Sequence, residues 1–327
     1  MLDHLVVQNY RLFKDLNIPK LGQVNLVTGK NNAGKSTLLE VIRIWASRGN
    51  SSVVNSILDK RGDWKDGDEE GTYAALFTNQ NISKHNLSTD VFINDFYIGF
   101  DYDHEDEAYA LLLRKEENVE DNRHPTGFDI VNFDFIGFQK GDKNYPQDKA
   151  IFIPPSADFD NTSLWDKIEL TPREDDVKHI LRIIIPDLMD LGISKKGAKV
   201  RLKNSEIPAP LKNFGEGTNR LLMIALALVS AKDNILLIDE IDLGLHYTVH
   251  KKLWEIIFQF AKEWNIQVFG TTHSQDCLSA FTSVANRKEY AEMGMSLRLQ
   301  REKDNVIAVD YSPEELEDAL AANIETR

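Results

Sequence analysis

The chain of 327 residues contains a single cysteine, Cys277, which excludes an internal disulfide and any zinc site built from several cysteines. It also lacks an apolar run of the roughly 18 residues that a membrane-spanning helix needs. No basic segment followed by an apolar stretch opens the chain, so a signal peptide is not indicated and we expect a cytoplasmic protein. The net charge of −14 argues against a chain covered in positive potential for nucleic acid.

Two charged segments are candidates for a further role. The acidic run at 101–107 has neither the glycine nor the register of a calcium-binding loop, so we favour a solvated turn or edge strand over a metal site. One basic cluster lies around Gly192 and Gly197, and we favour a solvated hairpin over a contact with a phosphate backbone. Its members are Lys195, Lys196, Lys199, Arg201 and Lys203.

The most informative segment, residues 29–37, fits the pattern G-x-x-x-x-G-K-[ST] of a phosphate-binding P-loop. Its two glycines let the backbone curl so that successive N–H groups point at one anion. The ammonium of Lys35 is set against the outer phosphates, and the hydroxyl of Ser36 can ligate Mg²⁺. We predict that nucleotide contacts come from Gly29, Asn31, Asn32, Ala33, Gly34, Lys35, Ser36 and Thr37.

The flanks of this segment support the match. The pattern predicts a short buried strand at 24–28 and a helix at 36–46 whose apolar residues recur at helical spacing. The N-terminus of a helix adds a dipole that favours a phosphate group. With a strand before the loop and a helix after it, an ordinary glycine-rich turn is the weaker interpretation.

The rest of the N-terminal half is predicted to be rich in strands. Residues 2–7 and 12–18 form an opening hairpin, and residues 47–70 form a polar surface loop with at most one short helix. From 72 to 138 several β-type runs alternate with polar turns, which indicates an antiparallel flank. These runs are 73–77, 91–100, 109–113 and 128–138, and a short apolar strand follows at 150–153.

Helices alternate with buried strands in the C-terminal half, which indicates a parallel α/β sheet. Thr171, Pro172 and Glu174 form the capping pattern of a helix that runs to Pro186, and Ser312 opens a closing helix in the same way. The elements between them are predicted helices at 218–231 and 245–264 and predicted buried strands at 235–238 and 266–269.

Three side chains at the ends of these strands are candidates for phosphate chemistry. Asp239 follows an apolar strand, as in a Walker B motif, and would hold Mg²⁺, while Glu240 would polarise the attacking water. His273 ends the next strand and can hydrogen-bond a γ-phosphate. An acidic turn and a structural histidine are the plainer alternatives. Because a P-loop lies upstream, we favour catalytic roles for Lys35, Glu240 and His273.

A second glycine-rich turn, residues 213–220, opens the apolar helix and presents N–H groups and a helix dipole to an anion. Residues 241–246 directly follow Glu240, where the D-loop of an ABC-type ATPase belongs. The order P-loop, signature, Walker B, D-loop and His switch resembles an ABC-type ATPase of the non-transporter branch. More narrowly, the segments GKNNAGKST, NFGEGTNRLL, LLIDEIDLGLH and QVFGTTHSQD resemble ATPases of the OLD (overcoming lysogenisation defect) family and its relatives in bacterial antiphage systems.

The resemblance implies an α/β fold, namely an ABC-type P-loop ATPase head with a parallel core sheet, an antiparallel β flank and an inserted helical lobe. We divide this head into a P-loop lobe at 1–160, a helical lobe with the signature motif at 161–230, and a lobe with Walker B, D-loop and His switch at 231–327. The resemblance further implies ATP and Mg²⁺ as cofactors and a homodimer or higher homo-oligomer in which the glycine-rich turn contacts the nucleotide of the partner. Asn213, Gly215 and Gly217 are the candidate contacts, although the turn lacks an LSGGQ string.

Some parts of the nucleotide site are not fixed by these motifs. Gln139 is the one candidate that we name for the glutamine of the Q-loop. Tyr10, Arg11 and Phe13 could stack on an adenine base, and core packing is an equal alternative for the two aromatic residues.

Proteins of the OLD family resemble this chain followed by a Toprim nuclease domain. After His273 only 54 residues remain, which are too few for such a domain, and Asp101 and Asp103 precede the signature without the paired glutamate segment. We therefore expect an ATP-gated dimeric switch that controls a separately encoded effector, a nuclease in the first instance, in antiphage defence.

The alternative is a compact DNA-repair ATPase that binds DNA in an ATP-dependent way. No long heptad insertion lies between residues 46 and 205, which excludes the extended coiled coil of the structural-maintenance-of-chromosomes proteins. A transporter subunit is disfavoured because no Q-loop is clearly assigned and the signature lacks an LSGGQ string. An inactive scaffold is disfavoured because the hydrolysis residues are present.

Overall fold

The computed structural model describes residues 1–65, 69–78, 91–94, 96–103, 108–115, 134–135, 149–156, 159, 161–322 and 324–326. At its centre is a six-stranded sheet with the order β15-β14-β3-β13-β12-β8. The strands are β3 (Val24–Thr28), β8 (Ala150–Ile153), β12 (Ile235–Ile238), β13 (Gln267–Thr271), β14 (Gly294–Glu302) and β15 (Asn305–Tyr311). Every neighbouring pair is parallel except the hairpin β14–β15, so the predicted parallel core is confirmed.

Helices cover both faces of this sheet, which is why its central strands are continuous apolar runs instead of alternating ones. β3, β12 and β13 are buried along their whole length. The covering helices are α1 (Lys35–Ala46), α6 (Glu216–Ser230), α7 (Tyr247–Glu263) and α8 (Gln275–Ala285). One apolar cluster includes Trp254 and Phe281, and the other includes Leu38 and Ile42 of α1.

A second six-stranded sheet is antiparallel at every pair and confirms the predicted antiparallel flank. Its order is β2-β1-β4-β5-β6-β7. The strands are β1 (Leu5–Tyr10), β2 (Phe13–Ile18), β4 (Val91–Ile93), β5 (Phe96–Asp103), β6 (Ala108–Lys115) and β7 (Asp134–Phe135). The acidic run begins inside β5, and its residues 104–107 lie outside the described part of the chain, as does most of the predicted run at 128–138.

Of the predictions for the segment between α1 and β4, one is incomplete and one is wrong. The segment expected to be a surface loop with at most one short helix contains the 11-residue helix α2 (Ser51–Arg61), whose Val54 and Leu58 are fully buried. The expected strand at 73–77 lies in helix α3 (Glu69–Ala74) and in the turn after it. Polar residues outnumber apolar ones in α2, and its buried side chains occupy one narrow face, so composition concealed the helix.

Residues 161–214 combine helices with a small antiparallel sheet. The elements are α4 (Asn161–Asp166), α5 (Arg173–Leu181), β9 (Leu188–Ser194), β10 (Gly197–Leu202) and β11 (Ala209–Pro210). The predicted hairpin around the basic cluster is confirmed as β9–β10, whereas α4 and β11 were not predicted. The predicted capping role of Thr171 is wrong, because Pro172 is the N-cap of α5 and the Thr171 hydroxyl donates to the carbonyl of Ile168 at 2.6 Å.

The last helix, α9 (Pro313–Ala321), has the capping box that the sequence predicts. The hydroxyl of Ser312 accepts the N–H of Glu315 at 3.3 Å, and the Glu315 carboxylate accepts the N–H of Ser312 at 2.8 Å. Within the described ranges, no helix is long and apolar enough to cross a membrane.

Candidate nucleotide site

The carboxyl ends of neighbouring parallel strands bring the candidate residues to one edge of the central sheet. Pairing places Thr271 of β13 beside Val27 of β3, and Gly270 beside Ile238 of β12. The P-loop therefore follows β3 at the same edge where Asp239 and Glu240 follow β12. This edge is where open α/β sheets bind their ligands.

The two glycines of the P-loop are required by its shape. Their φ angles are 142° at Gly29 and 100° at Gly34, which other residues rarely adopt. A Cβ on Gly29 would lie 2.5 Å from the carbonyl oxygen of Leu299, and one on Gly34 would lie 2.8 Å from Leu12 and 3.0 Å from Phe13. Gly34 is the N-cap of α1 and has no side chain to cap it, so the first N–H groups of α1 are left for an anion.

The remaining predicted contacts of the loop differ in exposure. Asn31 and Asn32 are exposed, whereas Ala33 and Thr37 are buried. The backbone N–H of Ala33 donates to the carbonyl of Lys30 at 3.1 Å, and the Thr37 hydroxyl accepts from Arg61 at 3.3 Å. Ser36, the candidate Mg²⁺ ligand, is half-buried in the first turn of α1.

Lys35 folds back across the loop that precedes it. Its Nζ donates to the carbonyl oxygens of Gly29 at 2.8 Å and Lys30 at 3.2 Å. Partial burial lowers the pKa of Lys35, while the charges of Asp239 and Glu240 act in the opposite direction. The ammonium of Lys35 therefore interacts electrostatically with both carboxylates.

A single hydroxyl orients the two acidic residues. The Thr271 Oγ1 donates to Oδ1 of Asp239 at 2.6 Å and accepts the backbone N–H of Glu240 at 2.8 Å. Asp239 is only 4% exposed, and its N–H donates to the carbonyl of Ile153 at the end of β8. A buried carboxylate needs compensation, and the lone pairs that Thr271 leaves free suit a hard cation such as Mg²⁺.

His273 lies next to the strand that leads into the P-loop. The N–H of the preceding Thr272 donates to the carbonyl of Val27 at 3.0 Å, and the Thr272 hydroxyl donates to Asp242 at 2.6 Å. Ser274 then caps α8 by accepting the N–H of Cys277. The side chain of His273 itself is exposed at this edge.

The glycine-rich turn lies beside the D-loop segment of its own chain. Gly215 is the N-cap of α6 with a φ of 98°, and Asn213 is exposed. A Cβ on Gly217 would collide with the carbonyl oxygen of Gly244, so these two backbones are in direct contact. The need for a glycine at 217 is therefore explained by a contact within one chain.

Two residues of the site were not singled out from the sequence. Thr271 orients Asp239 and Glu240, and Arg220 in the first turns of α6 donates to the carbonyl oxygens of Pro154, Asp239 and Glu240. Arg220 lies within the glycine-rich motif, but nothing in its spacing indicates a partner near the Walker B strand. Thr271 lies two residues before His273, in the same motif, and a threonine inside a buried strand gives no signal of its own in the sequence.

The aromatic candidates for adenine recognition belong to the core. Tyr10 and Phe13 are fully buried, and the ring of Phe13 packs against Gly34. Arg11 is paired with Asp63 at 2.9 Å and with Glu40 at 3.4 Å. Gln139, the candidate for the Q-loop, lies outside the described residues.

Comparisons with known proteins agree with this geometry. A protein of Helicobacter pylori named ATP/GTP phosphatase is 23% identical over 361 aligned positions, which cover 97% of each chain. The SMC head domain from Thermotoga maritima superposes with a TM-score of 0.50 at 12% identity and covers 94% of this chain and 98% of that one. The Smc head with an extended coiled coil, bound to the C-terminal domain of ScpA derived from Pyrococcus furiosus, gives a TM-score of 0.51 at 10% identity over 98% of each chain.

The two structures show the fold alone, which is that of an ABC-type ATPase head. The family is shown by a model described as "AAA domain, putative AbiEii toxin, Type IV TA system", which matches residues 24–278. The matched range begins with the strand before the P-loop and extends beyond His273, so it includes every motif of the site. The chain belongs to this family of AAA domains and is a P-loop ATPase with an ABC-type head fold.

Proposed function

We propose that this ATPase is a nucleotide-gated dimeric switch of the OLD type, which controls a separately encoded effector in antiphage defence. The observation that carries the proposal is the meeting of the P-loop, Asp239 and Glu240 at one sheet edge, beside an exposed glycine-rich turn. A P-loop alone would fit any nucleotide-binding protein. The carboxylate pair suits hydrolysis, and the exposed turn suits a second copy.

The residues of the edge fit Mg-ATP. Gly29 and Gly34 hold the P-loop in a shape with positive φ angles, and the N–H groups of the loop and of the start of α1 suit the phosphates. Ser36 and the buried Asp239 are oxygen donors of the kind that Mg²⁺ prefers. Bound Mg-ATP supplies a phosphoanhydride bond that water can attack.

The chain's own side chains then divide the work. Lys35 would exchange its two loop carbonyls for phosphate oxygens, and its cation would stabilise their charge. Glu240 would orient and polarise the attacking water, and the exposed imidazole of His273 would hydrogen-bond the outermost phosphate. Asn213 and the N–H groups around Gly215 would contact the nucleotide of the partner copy.

The proposed biological role has separate support. The relative in Helicobacter pylori is named for hydrolysis of ATP or GTP. The family description includes a toxin–antitoxin system, which agrees with a pairing of this chain with a second protein. The resemblance of the four motifs to OLD-family proteins supports antiphage defence and a nuclease as the effector.

Replacement of Glu240 by Gln tests the hydrolytic role. The amide keeps the size of the side chain and removes the charge that polarises water, so we expect kcat for ATP to fall at least a hundredfold with little change in nucleotide affinity. ATP should then hold the variant in its assembled state, which multi-angle light scattering would detect. Wild-type turnover by this variant would remove Glu240 from the mechanism.

Replacement of Lys35 by Ala tests the binding role and serves as the matched contrast. The variant loses the one cation of the loop that contacts its own carbonyls, so we expect calorimetry to detect no ATP binding at micromolar concentrations. A parallel titration with GTP would establish which base is preferred. Unchanged affinity for both nucleotides would contradict the proposed site.

The effector role requires the native operon. Cells that carry the operon with wild-type protein should survive phage infection better than cells with the Glu240→Gln or Lys35→Ala variant. Affinity purification of the wild-type protein from the same operon, followed by mass spectrometry, should recover the product of a neighbouring gene. Equal survival with all three proteins would contradict a role in defence.

A DNA-binding ATPase is the second candidate, and the outer face of the β9–β10 hairpin favours it. Lys199 and Arg201 lie on the strand opposite Gly192 and Asp190, and Lys195 and Lys196 occupy the connecting turn. ATP-dependent retention of duplex DNA that decreases steeply with salt would support this candidate. Retention should then be lost when Lys195, Lys196 and Lys199 are changed to Glu.

A further inference from the structure

Arg220 is a buried arginine whose partners are backbone oxygens. The residue is 5% exposed, and its Nη1 donates to the carbonyl of Pro154 at 2.6 Å. Its Nη2 donates to the carbonyl of Glu240 at 3.0 Å and makes a shorter contact with the carbonyl of Asp239. One guanidinium thus joins the first turns of α6 to the ends of both β8 and β12.

Burying a charged guanidinium without a carboxylate partner costs desolvation free energy, so a stabilising or functional role is needed to explain it. Among the described residues no carboxylate forms a salt bridge with Arg220, and its Nε has no hydrogen-bond partner. Burial lowers the pKa of Arg220 to about 10, against the opposing charges of Asp239, Glu240 and Asp242. An apolar side chain would fill this position at lower cost in desolvation, so the fork of donors is what the position requires.

Glu240 has a strained backbone conformation that is stabilised by hydrogen bonds from other elements. Its φ of 51° lies in the left-handed region, which residues other than glycine rarely adopt. Thr271 holds its N–H from one side, and Arg220 holds its carbonyl oxygen from the other. These two contacts hold the backbone of Glu240 on both sides of its Cα.

The glycine-rich turn is tied to the same segment a second time. Four residues after Glu240, the carbonyl of Gly244 lies against the backbone of Gly217. The Thr218 hydroxyl also donates to the carbonyl of Gly215 at 2.5 Å and closes the turn on itself. A displacement of the start of α6 must therefore displace residues 239–244 as well.

We propose that Arg220 is a positioning residue that couples the glycine-rich turn to Glu240. When a partner's nucleotide contacts the turn, the start of α6 shifts, and Arg220 carries that shift to the backbone of Glu240. Hydrolysis is thereby restricted to the closed assembly. This inference rests on the proposed function, because it gives the regulation of the same site.

The test compares Arg220→Lys with Arg182→Lys. Lysine keeps the charge but cannot donate to three carbonyls in a fork, whereas Arg182 donates to the carbonyl of Leu188 away from the site. We expect kcat for ATP to fall at least tenfold in Arg220→Lys, with KM and the Kd for ADP within about twofold of wild type. Arg182→Lys should keep the wild-type kcat.

A double-mutant cycle separates positioning from loss of structure. If Arg220 acts through Glu240, Arg220→Lys should have no further effect on the residual rate of the Glu240→Gln variant. Arg220→Gln, with two neutral donors, provides a second substitution if the lysine variant gives no cooperative thermal melt. Failure of both variants to fold would make Arg220 a structural residue and overturn the proposal.

Two further outcomes distinguish this inference from the proposed function. An unchanged kcat in Arg220→Lys, or an additive effect in the cycle, would overturn the coupling while wild-type hydrolysis and its loss in Glu240→Gln remain. If purified wild-type protein hydrolyses no nucleotide at any concentration, the proposed function fails first and the coupling fails with it.

Discussion

The two glycine-rich turns of this molecule open helices in the same way and differ in what surrounds them. Gly34 and Gly215 are the N-caps of α1 and α6, with φ angles of 100° and 98°. At Gly34 the position that a Cβ would occupy is already taken, because Leu12 and Phe13 pack there. A Cβ on Gly215 would meet no atom of the described residues within 4 Å.

The P-loop is therefore packed by residues of its own chain, whereas the turn at Gly215 has an unfilled side, where no described atom lies near its glycine. At Gly215 φ is 98° and ψ is 163°, a combination that is essentially restricted to glycine. The glycine there is required by backbone shape, whereas at the P-loop it is required by shape and by packing. Exposed N–H groups at a helix N-terminus are suited to an anion, so the unfilled side is where a partner's nucleotide would lie.

Substitution of Gly29 by Ala should have the largest effect. The new Cβ would lie 2.5 Å from the Leu299 carbonyl oxygen, and the φ of 142° is strained for alanine. We expect a loss of about 3 kcal/mol in the free energy of unfolding from strain and overpacking together. Nucleotide affinity should fall at least a hundredfold, measured by calorimetry on folded protein. A stable variant with normal affinity would contradict the packing account of the P-loop.

Substitution of Gly217 by Ala should have an intermediate effect. No positive φ is involved, and the cost arises from the collision with the Gly244 carbonyl, so we expect about 2 kcal/mol in urea unfolding. Gly192→Ala is the control, since a Cβ there meets no described atom within 4 Å. The variant should bind ATP normally and hydrolyse it more slowly, because α6 and the segment after Glu240 are forced apart. Equal stability of the two variants would show that the contact between Gly217 and Gly244 does not require a glycine.

The contrast between the turns could be predicted only in part from the sequence. The P-loop, the Walker B strand and the His273 strand are long-range neighbours, yet each motif contains its own strand, and parallel strands align their carboxyl ends. The edge itself was therefore predictable. The contacts that cross it were not, because the Thr271 bond to Asp239 spans 32 positions and the Arg220 bonds span up to 66.

The misassigned elements have a similar cause. Helix α2 was expected as no more than a short helix in a surface loop, since the burial of Val54 and Leu58 depends on the residues that pack against them and not on the composition of the segment. The expected strand at 73–77 has only two β-type residues, Tyr73 and Phe77, and the Ala and Leu residues between them favour a helix. Among the described residues Phe77 makes only an isolated bridge, with Tyr10. In both segments the apolar residues are too few to show a clear periodicity, so the local pattern does not determine the element.

Substitution of Gly215 by Ala should have the smallest effect on folding and the most specific effect on function. With no described atom near the new Cβ, only the strain of a backbone conformation that is essentially restricted to glycine opposes it, and this strain costs about 1.5 kcal/mol. Gly197→Ala in the β9–β10 turn, with a φ of 107° and no described atom within 4 Å, should lose the same stability and keep wild-type turnover. If the unfilled side receives a partner's nucleotide, Gly215→Ala should bind ATP as a monomer, fail to assemble and lose most of its hydrolysis. Identical kinetics in the two variants would mean that the turn has no role in the active assembly, and the comparison between the turns would then concern folding alone.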